Sequence, residues 1–210
     1  MKRKLNKNKL FYFIITLLII LVLAITGYKA YKDFFAPKTY DTKKVLDNLS
    51  LYGYTLDEND TKLYKSYFKE LKEILKQKEI DNKEYAGCIT KLFIADFYDL
   101  NSKLTSSDFG GLEFIHPDLI DNFKLNAGDT IYNHIKTNID GKRKQELPQV
   151  KEVSIKNIEE TTYKYNEKEY KSYKVKASWE YLKDLGYENE GEFSIIEDNN
   201  KLYIVEKLEG

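Results

Sequence analysis

Hydrophobic spacing in this chain changes period once, at Pro148, and that change limits the folds available to it. Before it, apolar residues recur every three or four positions, as on one face of a helix. After it they alternate, as on one face of a strand. Helices first and a run of strands afterwards is the order of an α+β domain, not of alternating βαβ units.

Within the helical part, Leu63, Tyr64, Tyr67, Phe68, Leu71, Ile74 and Leu75 form an apolar stripe that Asp60 or Thr61 can cap. A second helix over 82–100 carries Ala86, Ile89, Leu92, Phe93, Ala95, Phe97 and Leu100, and is apolar around more of its circumference. Such a helix is expected between the first helix and a sheet. Asn101–Gly111 is rich in Ser, Asp and Gly and reads as a loop. Pro117 suits the first turn of a third helix running to about Ile135. Upstream, Val45, Leu46 and Leu49 suggest a short amphipathic helix.

In the alternating part, Val153 and Ile155 begin a strand, and a shift of phase separates them from Ile158. Tyr173, Val175, Ala177, Trp179 and Tyr181 define the clearest strand. Asn166–Glu169 and Asp198-Asn199-Asn200 supply the hairpin turns. The expected fold is therefore α+β: about three helices packed on a curved antiparallel sheet of about four strands.

Ahead of all this, Leu10–Thr26 is free of charge and follows a tail with five Lys/Arg and no acid. Seventeen to nineteen helical residues span roughly 25–28 Å, near the hydrocarbon thickness of a bilayer. The basic tail places the N-terminus in the cytoplasm. The expected organisation is a tail at 1–9, a transmembrane helix at 10–28, a stalk with a short helix at 29–59, and an extracytoplasmic domain at 60–210. A cleaved secretory signal is the competing reading, although Ala24-Ile25-Thr26 is a poor small-x-small site. Cleavage would yield a secreted domain.

Beyond the tail, 29 of the 34 Lys/Arg face 34 Asp/Glu, a net charge near −5. That balance is no footprint for nucleic acid. The single cysteine, Cys88, sits in an apolar helical context and reads as a buried, inert thiol.

The element order and the closing hairpin EGEFSIIEDNNKLYIVEKLE over residues 60–208 resemble the nuclear-transport-factor-two-like fold, a bent sheet wrapped around helices as a half-open cone. In outline the chain is also similar to the membrane-anchored scaffold subunits of type IV secretion and conjugation machines. That resemblance implies a scaffold held at a bacterial cell envelope with protein partners. It carries no motif, so no site residue follows from it.

Chemistry is sparsely marked. No nucleophile elbow, phosphate-binding glycine loop or zinc-protease motif occurs, and no cofactor or metal is expected. His116 and His134, at opposite ends of the expected third helix, are too far apart to share a metal. Enzymes of the cone-shaped fold usually place an Asp–His pair or a Tyr in the cavity, and Asp96, beside the stripe of Leu92 and Phe93, is the candidate acid, with His134 as a weaker partner. The alternative is that Asp96 accepts backbone hydrogen bonds from 101–111. Trp179 and Tyr181 are further cavity candidates, against a simple core role for Trp179. Eighteen tyrosines can line a groove or merely favour strands. The expectation is a non-enzymatic binding or scaffold module, with a receptor for a small ligand or wall fragment as one alternative and a cavity hydrolase or isomerase using Asp96 as another.

Overall fold

The computed structural model describes residues 16–17, 20–27 and 44–208. Residues 20–27 are helical. Among the described residues no helix is long and apolar enough to cross a membrane, and most of the expected span at 10–28 lies outside them. The rest of the description concerns the compact unit that begins at Lys43.

It opens with a hairpin of β1 (Val45–Leu49) and β2 (Tyr54–Asp57), where the spacing suggested a helix. Two features override that spacing. Gly53 takes a left-handed φ of 68° in the turn, and Tyr54 buries completely beyond it. Five residues also make a poor isolated helix, because nucleation is costly. Helix α1 (Lys62–Leu75) is capped by Thr61, whose Oγ1 accepts the Tyr64 amide at 3.1 Å, and it buries Tyr64, Phe68, Leu71 and Ile74. Helix α2 (Asn82–Phe97) is capped by Asp81 and is buried along most of its length, as its apolar circumference required.

The third helical stretch is shorter than its spacing suggested. A 3-10 turn at Pro117–Leu119 leads into α3 (Ile120–Asp129), which stops well before Ile135. Tyr132 ends it: its ring is fully buried, and its hydroxyl donates to the Phe97 carbonyl at 2.8 Å and accepts from the Gly110 amide at 3.1 Å. Continuing the helix would carry that hydroxyl off both groups.

Strands β3 (Val150–Tyr165), β4 (Lys168–Tyr181), β5 (Glu190–Asp198) and β6 (Lys201–Leu208) form one antiparallel meander in the order β3-β4-β5-β6. The chain is thus α+β, with a four-stranded antiparallel sheet. Both tight turns use consecutive left-handed residues, Asn166-Glu167 and Asn199-Asn200, the twist that two-residue hairpins prefer. A bulge between Ile155 and Asn157 is the phase shift seen in the spacing. The helix-facing side of the sheet presents Val153, Tyr173, Val175, Ala177, Trp179, Phe193 and Ile195 to the core.

Candidate functional site

Where α2, α3 and strands β5 and β6 meet, the core remains open as a cleft of about 480 Å³. Its walls are largely apolar: Phe93 and Phe97 from α2, Phe123 and Ala127 from α3, Phe193 from β5 and Ile204 from β6. The aromatic rings form one connected set, with Phe93–Phe97 and Phe97–Phe123 centroids each 5.1 Å apart and Phe93–Phe193 at 5.7 Å. Helix α3 explains the contrast across the mouth. Phe123 and Ala127, four residues apart, face inward with Leu119 just before the helix and Ile131 just after it, while Asn122, Asn126 and the capping Thr130 make a polar lip.

The opposite lip is ionic. Glu188, Glu206 and Lys207 line it. The Tyr98 hydroxyl donates to Glu188 at 3.3 Å, and the Lys207 ammonium engages the other Glu188 oxygen. Burial, followed by the nearby Glu188 charge, pushes the Tyr98 phenol well up, so it stays a neutral donor.

Trp179 and Tyr181 do not line the cleft, but they hold its ionic lip. The Trp179 ring lies against Tyr98 at a centroid distance of 4.5 Å. Its Nε1 donates to the Tyr181 hydroxyl at 2.8 Å, which in turn donates to the Glu188 carbonyl at 2.7 Å. Burial raises the Tyr181 phenol to about 12, which keeps that donor protonated. Trp179 is 3% exposed, so it is a core residue that also positions the lip.

Asp96 is occupied elsewhere. One carboxylate oxygen pairs with the Lys103 ammonium and the other accepts the Gly111 amide at 2.6 Å. It therefore ties the 101–111 loop to the end of α2, and the cleft lining does not include it. His134 lies beyond the end of α3 and is exposed, with its carbonyl accepting from Gln145 at 2.8 Å. The structure does not assemble an Asp96–His134 pair within the cleft walls. His116 is buried, with Nε2 3.8 Å from Asp198 and its ring edge-on to Tyr165 and Tyr203. It fastens the tip of the β3–β4 hairpin to the start of β6. Among the described residues, no cluster of three His, Cys, Asp or Glu side chains has a metal-binding arrangement. Cys88 is 1% exposed and burial pushes its thiol well up, away from reactive thiolate.

Glu113 carries no mark in the sequence. Its carboxylate accepts from the Tyr64 hydroxyl at 2.5 Å and the Thr55 amide at 3.0 Å, joining β2 to α1. Desolvation lifts its pKa to about 7. The flanking Leu112 and Phe114 hint only that the segment is drawn inward. The cleft was missed for a related reason: its floor residues look like any core stripe until the gap between them is seen. Comparison with protein-family models, curated proteins and solved structures finds no match to this chain.

Proposed function

We propose that this protein is a non-enzymatic binding or scaffold module, held at the outer side of a bacterial cell membrane by residues 10–28 and working through envelope protein partners. The aromatic cleft between α3 and strands β5 and β6 carries the reading. A concave apolar site with a few fixed polar groups on its rim is what recognition of an apolar segment requires. Its two lips supply orientation: amides and a hydroxyl on one side, and a braced carboxylate and ammonium on the other.

The engagement of both Asp96 oxygens supports a loop-holding role and disfavours the cavity-enzyme alternative. Anchoring suits a binder, since confinement to a membrane raises the effective concentration of its partners.

The test uses the full-length chain in its own cells with a photo-crosslinker at Asn126. A discrete protein adduct is expected, and it should be lost when Thr130→Trp fills the mouth. Adducts that persist unchanged with the mouth filled would refute use of the cleft. A small-molecule adduct instead of a protein one would favour the receptor alternative, for which the same apolar walls provide the motive.

A further inference from the structure

The outer edge of β3 is open over much of its length. Sixteen residues long, it pairs with β4 alone among the described residues. The Trp179 amide donates to Asn189 at 2.8 Å, so odd-numbered residues of β4 bond to β5 and even-numbered ones bond to β3. Through the register, the backbone groups of Val153, Ile155, Ile158 and Glu160 then point away from the sheet. At Val153 the Tyr67 hydroxyl satisfies both, accepting the amide at 3.0 Å and lying 3.4 Å from the carbonyl. Beyond the bulge, no described residue bonds to this edge. An open edge invites another strand.

We infer that the occupant is β3 of a second copy of this chain, paired antiparallel about a two-fold axis through Ile158. Three observations select it. First, that register sets Lys156 of each copy opposite Glu160 of the other, giving two opposite-charge pairs between exposed side chains. Second, Asn157 and Glu159 lie on the outer side, so their cross-pair shares a face, and Lys156 is the bulged residue that has no partner on its own β4. The bulged Lys156 marks one end of the ladder and Glu160 the other. Third, a groove of about 630 Å³ runs beside this edge, lined by Ile155 and Ile158 with Gly87, Cys88 and Lys91 of α2. A Cβ on Gly87 would stand 3.2 Å from Ile158 Cδ1, so α2 sits close over the axis residue. Two Ile158 side chains meeting at the axis shield each other's exposed flank. The contact is isologous and closes on itself, leaving β6 at both ends of an eight-stranded sheet.

Glu160 already lies 3.3 Å from Lys171 of its own β4, an exposed pair that a facing Lys156 extends into a small network. So short a ladder makes a weak dimer in dilute solution and a populated one when both copies share a membrane.

The test is disulfide trapping of the full-length chain in its own cells, with Cys88→Ser as background. Two tagged chains, Asn157→Cys and Glu159→Cys, are co-expressed; both positions are exposed, so folding tolerates them. A mixed disulfide between the two chains is expected, with little product from either expressed alone. Adding Lys156→Glu to both chains should lower the trapped fraction about tenfold, and adding Glu160→Lys as well should restore it. The absence of a mixed disulfide would overturn the proposal. So would charge reversal without effect, or trapping that favours Thr162→Cys with itself. Disulfides formed instead with an unrelated protein would assign the edge to that partner and equally overturn it.

Discussion

At Glu113 the environment moves a carboxylate into the neutral range. Its pKa of about 7 stands above the ordinary 4.5, and desolvation is the first cause. Between those values the folded protein holds a proton that the unfolded chain has released, so stability falls as pH rises through the window. The penalty is fully present above pH 7 and absent below 4.5. The shift corresponds to about 3 kcal/mol at most. Chemical denaturation of wild type between pH 5 and 8 should therefore reveal a decline that Glu113→Gln abolishes; a parallel pH dependence in the variant would refute the assignment. Asp96 makes the opposite case. Removing its charge leaves Lys103, 7% exposed at the side chain, without its carboxylate. Asp96→Asn is expected to cost about 2–4 kcal/mol, read as a shift in denaturation midpoint, with Lys103→Met as the second member of the cycle. If the pair is the cause, the double variant should cost less than the sum of the two singles.

At the scale of elements, the two tight turns of the four-stranded sheet differ in how well their residues suit their geometry. Asn tolerates the left-handed region, whereas Glu167 sits there at φ 65° without that advantage. Glu167→Gly should stabilise the domain by about 1 kcal/mol, while Asn199→Gly should change it by a few tenths at most. Thermal melts of the two variants side by side would decide this. The same elements explain what spacing can and cannot convey. Helices α1 and α2 and strand β4 were legible because their apolar residues keep one period over many positions. The bulge at Ile155–Asn157 was legible as a slipped phase. The β1–β2 hairpin was not, because Val45, Leu46 and Leu49 satisfy a helical template, and only Tyr54, buried from a distance against Tyr85 and Leu202, fixes the alternative. The end of α3 was hidden in the same way, since Tyr132 is held by Phe97 and Gly110, both far away in sequence. The cleft lay beyond the reach of pattern altogether. Phe93, Phe97, Phe123 and Phe193 come from three elements, and neither their shared gap nor the Glu188 lip has a local signature.

At the scale of the whole molecule, the compact unit beginning at Lys43 contains the entire buried cluster, from Tyr54 to Ile204. Among the described residues, none before β1 contributes to it. A core so contained predicts that a 43–210 fragment folds by itself. If residues 10–28 serve as the proposed anchor, the full-length chain and a 43–210 fragment should differ in location while sharing one stability. After alkaline carbonate extraction, the full chain should stay with the membrane pellet and the fragment should remain in the supernatant. Their denaturation midpoints should agree within error. A mature chain shortened by about 26 residues would instead establish a cleaved signal, and the dimerising edge and the cleft would then act in a secreted domain. A fragment that pellets with membranes as firmly as the full chain would locate the membrane attachment in the folded domain itself.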